Sequence, residues 1–330
     1  MTTIENLRKK PDNVQSLETI IHSASRALVI GVGGGGDVVG ALAVARFLQF
    51  CGLEFLLGGL SWERSVYDPI PGPRKLCETR NVRALHEFAW MANADTQTVT
   101  GVHYAESRMA AALAQEVLLL DINGGVTGVV NGIETAMHQL QTDLLVGVDV
   151  GGDSLAEGHE TGLRSPLADS IMLAAFAELE RRGRRTMWGV FGYGSDGELT
   201  VDEIELALSR IGAAGGLLGG WSLTPQIAAE LERIVQTVPT EASAIPLRCL
   251  SGAWGEQKIR GGERSVRLTP LTALTFFLST KVLFETLARP AQAVRQSDSL
   301  ADANDTLHAL GIKTELDLER ERYRKANPGS

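Results

Sequence analysis

Three apolar runs in this 330-residue chain end in glycine and acid: GVGGGGD at 31–37, DINGG at 121–125 and DVGGD at 149–153. Glycines 31, 33 and 36 have the spacing G-x-G-x-x-G, which allows a tight turn, close approach of a ligand to the backbone, and tight packing of the following helix. Amides exposed by such a turn, at the positive end of a helix dipole, bind anions. Carboxylates on neighbouring turns can share a hard divalent cation with phosphate oxygens. The candidate ligand-binding residues are therefore Gly33, Gly34, Gly35, Gly36, Asp37, Asn123, Gly124, Gly151 and Gly152. Asp121, Asp149 and Asp153 are the candidate metal ligands, with Mg²⁺ the expected ion.

The loop after Asp153 concentrates acids, glycines and one histidine before Ser165-Pro166. His159 is the candidate general acid or base, its proton affinity raised by nearby carboxylates, and Asp153 and Glu157 complete the candidate catalytic set. Trp62 and Arg64 stand at the start of a long loop containing three prolines, where a doubly wound sheet places specificity residues. Tyr193 stands in a fourth glycine-rich tail, FGYGSDGE at 191–198, and joins the ligand set.

Each acid also has a local explanation. Asp37 can cap the helix that follows it, and Asp149 and Asp153 can accept from amides of their own glycine turns. Thr200 to Glu203 has the form of a capping box, and Tyr193 replaces the glycine that a hydrolase elbow needs before Ser195.

These residues need a scaffold that brings strand ends together. Runs beginning at Ala27, Glu54, Glu116, Asp143 and Thr186 are apolar on both faces and alternate with helical patterns, which predicts a Rossmann-like α/β fold. Its mostly parallel sheet carries helices on both faces, and the segment 258–266 extends one edge as a β-hairpin with a two-glycine turn. The apolar stretch Leu271 to Leu287 is expected to be a buried or interfacial helix. Residues 1–330 read as a single α/β domain, in which 291–330 form a charged helical C-terminal extension.

Composition excludes several classes of function. The chain is 44% hydrophobic with a net charge of −9, and no basic stretch carries interleaved aromatics, so no nucleic-acid partner is expected. Cys51, Cys77 and Cys249 are far apart and lack metal spacing, as in a reducing cytoplasm. Met1 to Gln15 lacks the apolar core of a signal peptide, and no membrane partner is expected. A small-molecule ligand and a homo-oligomeric assembly are the expected partners.

The segments GVGGGGD at 31–37, LGGLSWER at 57–64, DPIPGPR at 68–74, DVGGDSLAEGHETGLRSPLAD at 149–169, FGYGSDGE at 191–198 and LGIKTELDLE at 310–319 carry a resemblance. They resemble domain of unknown function family 1152, uncharacterised bacterial and archaeal proteins. The resemblance implies a Rossmann-like fold with a shared polar site, and no catalytic residue.

Three functions fit the residues. The first is a small-molecule enzyme binding a phosphorylated or nucleotide-like ligand at the glycine turn, with a divalent cation at the acids. The second is an NAD-dependent oxidoreductase, weakened by Gly58 and Gly59 where the ribose-binding acid belongs. The third is a non-catalytic metabolite sensor that signals through the 271–287 helix.

Overall fold

A computed structural model describes residues 16–328. The expectation about Met1 to Gln15 lies outside the described residues. Eleven strands form among these residues: β1 Arg26–Gly31, β2 Glu54–Leu60, β3 Thr79–His86, β4 Ala89–Thr98, β5 Val117–Leu120, β6 Leu144–Val150, β7 Thr186–Phe191, β8 Leu217–Ser222, β9 Gly255–Ile259, β10 Arg264–Leu268 and β11 Leu274–Leu278. The helices are α1 Leu17–His22, α2 Asp37–Phe50, α3 Ala105–Leu113, α4 Gly125–Leu140, α5 Pro166–Arg181, α6 Val201–Ala213, α7 Pro225–Ile234, α8 Ile245–Leu250, α9 Thr280–Thr286, α10 Arg289–Val294, α11 Leu300–Ala309 and α12 Glu315–Ala326.

Nine strands make one sheet in the order β3-β4-β5-β2-β1-β6-β7-β11-β8. The five central strands, β5 to β7 in that order, are parallel, and antiparallel pairs widen both edges. Alternation along β1 divides the core: Leu28 and Ile30 face the layer that contains α4 and α5, while Ala27 and Val29 face α2, α3 and α7. Both faces are covered, which is why the central strands are apolar throughout.

The topology opens a crevice between β1 and β6. The chain turns from β1 into α2 on one face and from β6 towards α5 on the other, so the two loops diverge above the strand ends. Register keeps these ends level, with Gly31 opposite Val148 and Val150 opposite Phe191.

Two expectations change. The 271–287 stretch is not a helix but a short 3-10 turn, strand β11 and helix α9. Aromatic and threonine side chains suit β11 for its place between β7 and β8, and Ser279 caps α9 by accepting from Val282 N. The expected hairpin forms as β9 and β10, a separate two-stranded sheet, while β11 and β8 widen the main sheet. No helix among the described residues is long and apolar enough to cross a membrane.

Candidate functional site

The crevice is built outward from the glycine turn. Gly34 and Gly35 have φ of 76° and 55°, which L side chains rarely adopt. A Cβ would stand 3.0 Å from the Trp62 carbonyl oxygen at Gly34 and 2.7 Å from Arg64 Cγ at Gly35. Gly35 N donates to Trp62 O at 2.9 Å, binding the turn to the segment after β2. Asp37, the first residue of α2, accepts from Gly33 N at 3.0 Å. The amides of Gly34 and Gly36 are not taken up by a protein acceptor among the described residues. Burial, and then the charge of Asp149, push the Asp37 carboxyl well above its ordinary range.

Across the crevice lie five more buried carboxylates. Asp149 is held by its own turn, accepting from Gly152 N and Ser154 N at 3.1 Å each and from the Ser154 hydroxyl. Asp153 accepts from the Ser165 hydroxyl at 3.2 Å and stands within hydrogen-bonding reach of Asp149. Asp169 comes from the first turn of α5, and Asp196 and Glu198 from the loop after β7. Burial first, then neighbouring carboxylates, raise Asp153, Asp169 and Asp196.

Ser165 sits at the cap position of α5 but makes no cap bond; its hydroxyl turns to Asp153 and Glu198. The free amides of Leu167 and Ala168 instead donate to Glu315 of α12, at 3.0 and 2.8 Å. Burial lifts this carboxyl to about 8. Donor oxygens of Asp149, Asp153 and Asp169 lie within 4.8 Å of one another, as do those of Asp153, Asp196 and Glu198. All-oxygen sets of this kind suit hard divalent cations.

The opposite wall is cationic. Arg264, on the hairpin, donates to Glu198 at 2.9 Å and to the Asp196 carbonyl at 3.0 Å. Arg64 and Arg260 line the same cleft and form no side-chain bond or salt bridge among the described residues. Burial and the nearby charges of Arg64 and Arg264 lower the proton affinity of Arg260. Helix α12 closes the cleft with Glu315, Leu318, Glu319 and Arg322, which share one helical face. Glu319 fixes it by accepting from Trp62 Nε1 at 3.0 Å and Gly72 N at 2.9 Å. The cleft, open to solvent on one side, has a volume of about 160 Å³.

A family model described as "Protein of unknown function (DUF1152)" matches residues 28–323. The chain belongs to this family. No curated protein and no solved structure matches it.

The DUF1152 match runs through every segment of the cleft, from β1 to α12. Of the residues singled out from sequence, Gly33 to Gly36, Asp37, Trp62, Arg64 and Asp153 line it, and Asp149 belongs to one of its carboxylate sets. The remainder lie elsewhere. The His159 side chain is 73% exposed, with Nδ1 4.0 Å from Glu160. Glu157 pairs with Arg210 and, at 3.7 Å, with Arg289. Asp121, Asn123 and Gly124 stay on the β5 loop, where Asp121 accepts from Asn123 and Gly124 packs under Phe88. Gly151 and Gly152 are buried, packed against Asp196 and against Val190 and Ile204. Tyr193 donates to Glu205 at 2.8 Å.

Sequence reasoning missed Glu63, Asp169, Asp196, Glu198, Arg260 and Glu315. The acidic tail of FGYGSDGE was a signal for two of them. Glu315, Glu319 and Arg322 also fall on one stripe of a charged helix, a pattern open to reading.

Proposed function

We propose that the protein is a small-molecule enzyme that binds a phosphorylated or nucleotide-like ligand together with a divalent cation such as Mg²⁺, with phosphate-ester chemistry the favoured class. The observation that carries this reading is the two-sided cleft at the topological switch point. Carboxylates of which only Glu198 has a salt bridge among the described residues share the cleft with two guanidinium groups, Arg64 and Arg260, that form none, and the glycine turn lines the same cleft. An anionic ligand that brings a cation satisfies both walls at once.

In this reading Arg64 and Arg260 grip phosphate oxygens, Arg64 being set by its contact with Gly35. Gly34 and Gly36 offer amides at the start of α2. A bound Mg²⁺ supplies charge neutralisation and a more acidic coordinated water. Glu63 takes the proton-transfer role first sought at His159: it lines the cleft, accepts from Ala105 N, and is lifted by burial to about 7. The dinucleotide reading has less support, because β2 ends in Gly58, Gly59 and Leu60 with no acid, and Asp37 already occupies the Gly33 amide.

Thermal shift and calorimetry test the proposal with inorganic phosphate, pyrophosphate, nucleoside phosphates, sugar phosphates and NAD, each with Mg²⁺ and with chelator. A phosphorylated compound should bind only with Mg²⁺. Metal-independent binding of NAD, or binding confined to compounds without phosphate, would reject the proposal.

A further inference from the structure

The cleft's acids form two cation sites, not one, and we infer that Asp153 bridges them. The inference rests on the cation-dependent reading above, and it specifies the cofactor as a pair of divalent ions. Two donor sets meet the distance condition, and Asp153 is their shared member. A carboxylate has two oxygens and about four lone pairs, enough to serve two ions.

An independent observation points to a ligand in each set. Asp169 Oδ1 in the first and Asp196 Oδ2 in the second are buried oxygens with no hydrogen-bond partner; the residues are only 3% and 5% exposed. Leaving such an oxygen unsatisfied is costly. A cation held between the carboxylates satisfies both oxygen and charge.

The surroundings fix the donors in place. Backbone amides and the Ser154 hydroxyl hold Asp149, while Arg164 N, Ser165 N and Arg264 hold Glu198. Among the described residues the five carboxylates make one salt bridge, Arg264 to Glu198. Five carboxylates against one salt-bridged guanidinium leave an excess of negative charge, which divalent cations would neutralise. Oxygen-only donors, with no histidine or cysteine, select Mg²⁺ or Mn²⁺ over softer metals. Asp169 Oδ2 lies 3.6 Å from where a Cβ would stand on Gly33, so the first donor set borders the glycine turn. Paired ions of this kind clamp the attacking and leaving oxygens of a displaced phosphoryl group.

The test uses the full chain, stripped with chelator and dialysed against Mn²⁺ alone. Equilibrium dialysis should find two Mn²⁺ per chain, and electron paramagnetic resonance should show them spin-coupled. Asp169→Asn and Asp196→Asn should each retain one ion and lose the coupling. Asp153→Asn should weaken both by roughly 100-fold or more, with circular dichroism reporting the fold. The wild-type count does not depend on any variant folding. Two uncoupled ions, or none, overturn the inference. One Mn²⁺ per chain overturns it too, while leaving the single-cation enzyme intact.

Discussion

The loops after β5 and β6 have nearly the same sequence, DINGG and DVGGD, yet only one faces the cleft. In the β5 loop, Asp121 Oδ1 accepts from Asn123 N at 2.7 Å and Nδ2 at 2.6 Å, and Asn123 reaches on to the Pro73 carbonyl at 3.1 Å. The carboxylate is satisfied locally. In the β6 loop the first acid, Asp149, is satisfied in the same manner, but Asp153 looks onto Asp169, Asp196 and Glu198. Strand order explains the difference. β5 stands three places from β6, roughly 15 Å at about 4.8 Å per strand, whereas β1 and β6 are neighbours whose loops diverge. A strand–glycine–acid motif therefore becomes a site only where the topology opens a crevice above it.

pH should separate the two regions most strongly. Burial raises Asp121 from 3.8 to about 6, Glu63 from 4.5 to about 7 and Glu315 from 4.5 to about 8. Over these intervals the folded chain binds more protons than the unfolded one, so stability is complete below about 4 and falls as pH rises through the folded values. Asp121's share is spent by about pH 6, and further loss comes from the cleft and from Glu106, buried beside Gly59 and raised by burial. Several raised groups acting together make this on the order of several kcal/mol. Denaturant titrations from pH 5 to 8.5 should show the metal-free protein weakening throughout, and Mn²⁺ should flatten the part above pH 6. A profile that levels off at pH 6 would remove the distinction between the two loops.

Asp153→Asn should have the next largest effect. Loss of a first ligand should weaken Mn²⁺ binding by roughly 100-fold or more, since disturbing even the outer partners of metal ligands costs 10–100-fold. The metal-free variant should melt ~2 °C or more above wild type, because one of several crowded negative charges is gone. Calorimetry with Mn²⁺ and a melting curve in chelator check both halves. A variant that binds normally and melts lower would make Asp153 structural, like Asp121.

Gly35→Ala probes the other wall. A left-handed residue with a Cβ costs ~1–2 kcal/mol, and that Cβ would press on Arg64 Cγ. Stability should drop by about that amount in urea, and the phosphorylated compound bound best by wild type should bind roughly tenfold more weakly. If affinity is unchanged, Arg64 is not part of the ligand site.

The parallel strands and their glycine turns were legible because buried strands are apolar on both faces and stop abruptly at glycine. β3 and β4 were not, since their exposed polar positions imitate a loop. The 271–287 stretch shows a second limit: a buried strand and a buried helix have similar composition, and only length and capping residues divide them. Half of the cleft came from places with sufficient local explanations. Asp169 stands in a helix's first turn, Arg260 in a hairpin turn and Glu315 beside a capping box, so nothing local marked them as partners of Asp153. His159 shows the converse: its acidic neighbour in sequence, Glu160, stays beside it at 4.0 Å, but the imidazole is 73% exposed and outside the cleft lining.

The smallest effect should come from Asp121→Asn. Asparagine is isosteric and its carbonyl can still accept from Asn123 N, so what is lost is the charge on one hydrogen-bonded turn. Near neutral pH that charge is itself opposed by burial, which is why the carboxyl titrates at about 6. Burial outweighs those bonds, so at pH 7.5 removing the charge should leave stability unchanged or raise it, never lower it by more than about 1 kcal/mol. Mn²⁺ binding should be unchanged, because no donor set contains Asp121. Urea denaturation at pH 7.5 measures the first quantity and equilibrium dialysis the second. Should Asp121→Asn lose Mn²⁺ as Asp153→Asn is expected to, the β5 loop would have to reach the ions, and strand order would no longer explain why one motif is a site and its near-copy is not.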